Sequence, residues 1–281
     1  MEQPLERFRL GNPFVVRTIE PAPVEFEGRQ VTGLRRMGKR LVFEFDKELF
    51  LVLHLMIAGR LRWREEPGAA IPKKVGLAAF DFPNGTLILT EQGSKRQASI
   101  HLVRQAHGLS EFERGGLEVL DSTATAFAER LTHENHTLKR ALTDPTIFSG
   151  IGNAYSDEIL HAAKLSPMKQ TRQLTDDEIV RLHAATIETL EAWIARTRDE
   201  VGEGFPEKVT AFREGMAVHG RYGKPCPRCG SPVQRIVYAS NECNYCATCQ
   251  TEGRLLSDRA LSRLLREDWP RTLEEMERRK R

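Results

Sequence analysis

The amino-acid sequence predicts an α+β fold with several domains: β structure first, helices in the middle and a cysteine module near the carboxyl end. Three observations lead to this prediction. Short apolar segments separated by Pro-Gly and Asn-Gly turns fill the first 110 residues. Apolar residues at helical spacing follow them, and two Cys-x2-Cys pairs come after the helices.

Length and composition describe an ordinary globular protein. The chain has 281 residues, of which 40% are hydrophobic and 29% charged, and this excludes wholesale disorder. The longest apolar run, residues 49–57, is interrupted by His54 and is too short to cross a bilayer. The first ten residues contain acids and no apolar segment, so we expect no signal peptide and a cytoplasmic protein.

Charge is unevenly distributed along the chain. The net charge is +3, but residues 1–110 carry +5, residues 111–220 carry −7 and residues 221–263 carry +4. Two basic regions therefore flank an acidic middle. This pattern predicts a polyanionic partner that binds particular basic faces, without identifying that partner.

The first region has the pattern of short β-strands. Apolar residues alternate in residues 41–45, and residues 50–57 read as a central strand that is covered on both faces. Further strands are predicted at residues 61–64, 77–82, 86–91 and 99–103. Several short strands with regular turns predict a sandwich or a barrel.

The middle region has the pattern of helices. Predicted helices cover residues 122–131, 135–142 and 154–164. A long helix is expected from Thr175, because Thr175 and Glu178 have the spacing of a capping box. Two tail helices are predicted at residues 257–267 and 270–279.

These patterns define four expected domains. Residues 1–112 form a β domain and residues 113–222 form a helical domain. Residues 223–250 form the cysteine module, and residues 251–281 form a helical C-terminal extension.

The cysteine module has the spacing of a metal site. Cys226 and Cys229 are separated by sixteen residues from Cys246 and Cys249, so four thiolates can surround one tetrahedral Zn²⁺. Four thiolates leave no open position, which predicts one structural zinc ion and no metal catalysis. Cys243 lies off this spacing, and we expect it to be a small free thiol.

A glycine-rich segment, residues 149–153, precedes the predicted helix at residues 154–164. Glycines allow close backbone approach, and a helix N-terminus attracts phosphate, so Asn153 is a candidate phosphate ligand. The alternative is a tight turn between helices with Asn153 as a cap. The residues alone leave both interpretations open.

Basic residues also cluster in the β region. Four cations in residues 35–40 could grip phosphates, although a solvated loop is the favoured interpretation from charge alone. Arg60, Arg62 and Arg64 alternate, so they share one strand face that could equally be a solvent face. We expect His54 to be a satisfied buried histidine and not a base or ligand.

Four motifs resemble the formamidopyrimidine-DNA glycosylase and endonuclease VIII family. Residues 35–39 (Arg-Arg-Met-Gly-Lys) resemble the strand that carries the family's important lysine, and residues 54–61 resemble its H-L-x-M-S-G-x-L turn. Residues 150–158 match its G-[IV]-G-N-x-Y-x-x-E signature, and residues 219–221 resemble its Y-G-R. The resemblance covers about residues 5–250, and the last 31 residues extend beyond it.

The resemblance implies a base-excision-repair enzyme for damaged (oxidised) bases and abasic sites in double-stranded DNA. It implies an N-terminal β-sandwich, a helix–two-turn–helix domain and a C-terminal zinc ribbon. In the family, an N-terminal proline attacks C1′ of a flipped nucleotide, a Schiff base forms, and elimination cleaves the strand. It further implies a monomeric, nucleoid-associated protein.

The resemblance also implies roles for particular residues. Lys39 would contact phosphate and assist elimination, which makes it the candidate catalytic residue within this chain. Asn153 and Arg221 would contact the DNA backbone. Ile57 and Asn241 would also contact DNA: Ile57 stands where the family has a wedge methionine, and Asn241 stands where it has an arginine.

The amino terminus departs from the family pattern. The family starts with a proline and a glutamate, whereas this sequence starts Met-Glu-Gln-Pro, and Gln3 to Arg7 fit the strand that follows the family's first helix. We therefore expect the catalytic proline and glutamate to be absent here, through a start assigned downstream of the true one. The alternative is a DNA-binding protein that kept the clamp and lost the chemistry.

A second departure affects damage recognition. Residues 91–96 replace the family's D-P-R-R-F loop, whose arginine and phenylalanine fill the gap that a flipped base leaves. A zinc-ribbon translation or transcription factor is a third interpretation, which fits the ribbon and not the glycine-rich helix.

Overall fold

The computed structural model describes residues 3–93, 95–207, 210, 212–238, 241–257 and 270–280. The chain divides into two compact units. The first comprises residues 1–114 and 200–209, and the second comprises residues 115–199 and 210–281.

The described residues of the first unit form nine strands in two antiparallel sheets. The five-stranded sheet has the order β1-β3-β4-β5-β9, and the four-stranded sheet has the order β2-β7-β8-β6. The strands are β1 Pro4–Leu5, β2 Arg7–Leu10, β3 Arg29–Met37, β4 Arg40–Phe45, β5 Leu49–His54, β6 Gly59–Arg64, β7 Gly76–Phe82, β8 Gly85–Glu91 and β9 Ser99–Arg104.

The two sheets share one apolar core. Phe45 and Leu51 of the first sheet and Phe80 and Leu89 of the second belong to a single cluster of buried side chains. Each fully buried large side chain contributes about 1.5–3 kcal/mol to folding. This packing confirms the predicted sandwich, and the barrel alternative is wrong.

The central strand is shorter than the apolar run predicted. Strand β5 stops at His54, because Met56 adopts a left-handed backbone conformation with φ 54°. The Gly59 N–H then donates to the Leu55 carbonyl at 2.9 Å and closes the turn. As a result Ile57 lies in a turn with 79% of its surface exposed, although its apolar neighbours suggested a strand.

The basic segment at residues 35–40 is largely strand and not the loop that charge alone favoured. Arg35 and Arg36 belong to β3 and pair in register with Val42 and Leu41 of β4. Residues 34–36 are exposed, so this part of β3 lacks the apolar alternation that would reveal a strand, and main-chain pairing holds it. Strands β1 and β2 were also missed.

The second unit begins with four helices, α1 Ala124–Thr132, α2 Leu138–Thr143, α3 Asn153–Ala162 and α4 Asp176–Val201. The predicted capping box of α4 is present: Glu178 N–H donates to Thr175 Oγ1 at 3.3 Å, and Thr175 N–H donates to Glu178 Oε2 at 2.9 Å. Helix α2 starts three residues later than predicted because Thr137 is its N-cap. No described helix is long and apolar enough to cross a membrane.

The cysteine module forms an antiparallel hairpin, β10 Gln234–Tyr238 and β11 Asn241–Tyr245, followed by the short helix α5 Ala247–Thr251. The predicted helix at residues 270–279 is present as α6 Leu273–Lys280. The other predicted tail helix, at residues 257–267, falls almost wholly outside the described residues.

Candidate functional site

The four paired cysteines come together in one cluster. Their Sγ atoms all lie within 4.8 Å of one another, with Cys226 and Cys249 4.0 Å apart and Cys229 and Cys246 3.4 Å apart. A tetrahedral zinc with Zn–S bonds of about 2.3 Å separates its sulfurs by about 3.8 Å. The donor set therefore fits one structural zinc ion, as predicted.

Local backbone geometry builds the first cysteine knuckle. Gly230 N–H donates to the Cys226 carbonyl at 2.9 Å, and Gly230 has φ 78°, a value that favours glycine. Desolvation would raise the pKa of Cys229, but hydrogen bonds from Ser231 and from the Cys246 and Cys249 thiols together lower that pKa to about 6. This thiol is thus prepared for the thiolate form that zinc requires.

Cys243 is not part of the metal cluster, as predicted. Its side chain is buried, and its thiol lies outside the group of four sulfurs. Burial, helped by the nearby Asp157 carboxylate, raises the pKa of this thiol. It is therefore a neutral apolar side chain in the hairpin.

His161 is a neighbour of the metal cluster that the sequence analysis missed. Its Nε2 lies 3.3 Å from Cys226 Sγ, and Arg228 donates to the His161 carbonyl at 2.9 Å. Burial and the Arg228 charge lower the pKa of His161 to about 4, so the imidazole is neutral at neutral pH. A neutral imidazole that carries its proton on Nε2 can donate to the thiolate. No local spacing connects His161 with Cys226.

Asn153 is the first residue of α3, and Gly152 is its N-cap. Gly150 has φ 82°, a conformation that favours glycine, so the tight turn accounts for the glycine at this position. The first turn of a helix leaves N–H groups without intrahelical acceptors, so the same segment can receive a phosphate. The Asn153 Nδ2 donates to the Glu242 carbonyl at 3.0 Å, so this residue also contacts the ribbon hairpin.

Glu158 anchors the segment that leads into the ribbon. Its buried carboxylate accepts the N–H groups of Ala217, Val218 and His219 at 2.7–2.9 Å. Arg221, two residues further on, is half-buried and donates from Nη2 to the Pro225 carbonyl at 3.1 Å. Its buried Nε has no hydrogen-bond partner among the described residues.

Lys39 and Ile57 belong to turns of the first unit. Lys39 is exposed in the β3–β4 turn, and partial desolvation of its ammonium group lowers its pKa. His54 is half-buried, whereas the sequence predicted a buried histidine. It is the last residue of β5, where the strand leaves the core. Burial of the imidazole lowers the pKa of His54, and the positive charges of Arg40 and Lys39 lower it further.

The three alternating arginines of β6 differ in their contacts. Arg64 pairs with Glu207 at 2.6 Å, and Arg62 approaches the same carboxylate at 3.8 Å. Arg60 donates to the main-chain carbonyls of Ile57 and Gly59 at 3.0 and 2.6 Å. This face is therefore partly neutralised, and Arg60 supports the turn that presents Ile57.

Two further predicted positions lie in exposed segments. Asn241 is exposed as the first residue of β11, next to residues 239–240, which lie outside the described part. The loop that replaces the family's D-P-R-R-F is closed by the buried Glu91 carboxylate, which accepts the N–H groups of Gln97 and Ala98. Ser94 within this loop is not described.

Fold and site together define the class of zinc-containing DNA glycosylases. Family models match in chain order: the formamidopyrimidine-DNA glycosylase N-terminal domain at residues 2–95, its H2TH domain at residues 116–203, and the zinc finger found in FPG and IleRS at residues 223–251. The chain belongs to the formamidopyrimidine-DNA glycosylase family. The predicted β-sandwich, helix–two-turn–helix domain and zinc ribbon are thereby confirmed.

Individual proteins agree with this assignment. The formamidopyrimidine-DNA glycosylase of Moorella thermoacetica is 34% identical over 249 residues, which cover 84% of this chain and 88% of that protein. An uncharacterized formamidopyrimidine-DNA glycosylase-like protein of Mycobacterium tuberculosis is 40% identical over 151 residues, covering 54% of this chain and 94% of that protein.

Solved structures give the same result. The Lactococcus lactis enzyme in complex with abasic-site DNA has a TM-score of 0.78 and 27% identity, and the match covers 89% of this chain and 93% of that chain. A point mutant of the same enzyme, in complex with DNA that contains Fapy-dG, has a TM-score of 0.76 with the same identity and coverage.

Proposed function

We propose that this protein recognises oxidised bases and abasic sites in double-stranded DNA and acts in base excision repair as a DNA glycosylase/AP lyase. One observation carries the proposal: the N-terminus of α3, where Asn153 lies, is hydrogen-bonded to the zinc-ribbon hairpin. A phosphate-binding helix end and a hairpin held together form one surface for a DNA backbone. We propose a monomer that associates with the nucleoid, with domains at residues 1–112, 113–222, 223–250 and 251–281.

Each predicted residue has a role in DNA binding. Lys39 and Arg221 bind backbone phosphates through their charges, and Asn153 binds phosphate through its amide. The exposed side chain of Ile57 enters the base stack, as apolar wedges do in other DNA-bending proteins. Asn241 contributes less, because an amide lacks a positive charge. The zinc ion folds the ribbon and takes no part in the chemistry.

Schiff-base chemistry needs an amine with a free lone pair at C1′ of the damaged nucleotide. Pro4 cannot supply it, because its nitrogen lies within a peptide bond and it pairs in β1 with Gln30 of β3. We further propose that Pro4 is not the nucleophile, and that residues 1–281 supply the DNA clamp and Lys39. The second candidate function is DNA binding without chemistry, which the position of Pro4 favours.

DNA binding tests the proposal. We expect the chain to bind a duplex that contains an abasic-site analogue more tightly than the intact duplex, with log K falling linearly as log salt rises. Fluorescence anisotropy over a series of salt concentrations measures both properties. Equal affinity for both duplexes, or affinity that does not depend on salt, would contradict the proposal.

A further inference from the structure

A buried carboxylate lies between the glycine-rich helix and the ribbon. Asp157 of α3 is 0% exposed. Its Oδ1 accepts a hydrogen bond from Lys139 Nζ at 2.6 Å, and its Oδ2 accepts from His219 Nδ1 at 2.8 Å and from the Asn244 N–H at 3.1 Å. One side chain thus receives three donors.

These donors come from three separate segments. Lys139 belongs to α2, His219 precedes the ribbon, and Asn244 belongs to β11. Lys139 Nζ also donates to the Asn153 carbonyl at 2.7 Å, and Asn244 Oδ1 accepts the Gly220 N–H at 2.7 Å. The network therefore connects the first residue of α3 with the strand that follows the hairpin turn.

A network of this kind specifies geometry more than it adds stability. Removing two charges from water is costly, and an apolar cluster of the same volume often stabilises a fold equally well. What the carboxylate provides is direction, because each donor must point at one of two oxygens. The side-chain hydrogen bond from Asn153 to the Glu242 carbonyl depends on the same placement of β11.

We propose that Asp157 is a positioning residue that holds β11 against the N-terminus of α3, so that Asn153 and the hairpin engage the same stretch of DNA backbone. The part of this inference that concerns DNA rests on the function proposed above. The part that concerns the link between β11 and α3 does not depend on DNA.

Hydrogen exchange of the free protein tests the link. Asp157→Asn keeps the side-chain shape but leaves one oxygen for three donors, so we expect the Asn244 amide to exchange at least about tenfold faster while zinc stays at one per chain. Thr186→Ala is the control, because Thr186 is also buried and its hydroxyl donates to the Leu182 carbonyl within α4. Unchanged exchange at Asn244 in Asp157→Asn would overturn the inference.

A second, milder variant tests the link in case Asp157→Asn does not fold. If Asp157→Asn loses zinc, His219→Gln removes one donor and leaves the pair of Asp157 with Lys139 intact. We then expect faster exchange at Asn244 and Gly220 than in Thr186→Ala, with zinc retained. Exchange no faster than in the control would overturn the inference.

A double-mutant cycle tests the consequence for DNA. If Asp157 positions Asn153, then Asn153→Ala should weaken DNA binding several-fold in the wild-type background and less than twofold in the Asp157→Asn background. A merely destabilising role of Asp157 predicts equal losses in both backgrounds, and that result would overturn the inference. Absence of DNA binding by the wild type would instead contradict the proposed function, while the exchange experiment would still decide the structural link.

Discussion

The Nδ2 of Asn153 donates a hydrogen bond to the main-chain carbonyl of Glu242 at 3.0 Å. The residue predicted to bind phosphate at the end of a helix therefore also holds the ribbon hairpin. A carboxamide has two N–H donors, so one can serve the hairpin and the other a phosphate. Both interpretations that the sequence left open, a structural turn and a phosphate site, are compatible with this geometry.

Loss of one zinc ligand should unfold the ribbon. Cys226→Ser should lower zinc from one per chain to near zero and weaken DNA binding, because zinc binding supplies the folding free energy of such modules. Zinc content by elemental analysis after gel filtration measures the first effect.

The control for this prediction is Cys243→Ala, which removes a buried thiol outside the cluster and should keep its zinc. Zinc retained in a Cys226→Ser/Cys249→Ser protein would contradict the assignment.

Phosphate contacts should appear in the salt dependence of DNA binding. Lys39→Ala and Arg221→Ala should each weaken binding to all sequences and reduce the slope of log K against log salt by about 1. Asn153→Ala should weaken binding and leave the slope unchanged, because the amide carries no charge. Arg198→Ala, an exposed cation of α4, controls for a simple change in net charge. Full affinity in the triple variant Lys39→Ala/Asn153→Ala/Arg221→Ala would contradict these phosphate contacts.

Spacing along the chain accounts for the parts of the structure that were predicted. The metal cluster was predicted because each Cys-x2-Cys pair forms the same kind of turn, and two such turns can surround one metal ion. Its members are Cys226, Cys229, Cys246 and Cys249. The apolar pattern extended the strand past Met56 because nothing in such a run marks a left-handed residue, and only the resemblance of residues 54–61 to the family's motif indicated a turn there. The link from Asp157 to His219 was missed because 62 residues separate the partners, and their contact depends on tertiary packing.

The pair of Arg9 with Asp81 should make the first unit sensitive to acid. Burial alone would raise the pKa of Asp81, but hydrogen bonds from Arg9 at 2.6 Å and Thr86 at 2.9 Å lower that pKa. A lowered folded-state pKa stabilises the fold above the unfolded value of about 3.9, and this stability is lost as pH falls through the folded-state pKa.

Asp81→Asn should therefore destabilise the protein by about 1–3 kcal/mol at neutral pH. The difference from wild type should begin to shrink at about pH 3.9, where the carboxylate of the unfolded chain takes up its proton, and should continue to shrink as pH falls through the lower folded-state pKa. Urea unfolding at neutral, mildly acidic and strongly acidic pH measures this difference, and Glu6→Gln, at an exposed carboxylate, is the control. A difference that grows toward acid pH would contradict the assignment.

The C-terminal helix should stabilise the ribbon. Leu273 and Met276 of α6 pack against a buried cluster that includes Ile236 and Tyr245 of the hairpin. Leu273→Ala/Met276→Ala should cost about 1–4 kcal/mol, since both side chains are only partly buried, and should speed zinc removal by a chelator. Glu274→Ala, on the exposed side of the same helix, should have no such effect. Unchanged zinc release in the double variant would show that α6 does not support the ribbon.

Borohydride trapping on abasic-site DNA shows directly whether this protein forms a Schiff base, because borohydride reduces that intermediate to a stable protein–DNA cross-link. We expect the 281-residue chain to bind without trapping, and we expect trapping for a chain extended at its amino terminus by the family's Pro-Glu start segment. Absence of trapping by the extended chain would favour the non-catalytic DNA-binding protein. Efficient trapping by the unextended chain, lost in Lys39→Ala or after acetylation of Met1, would contradict this expectation and identify that amine as the nucleophile.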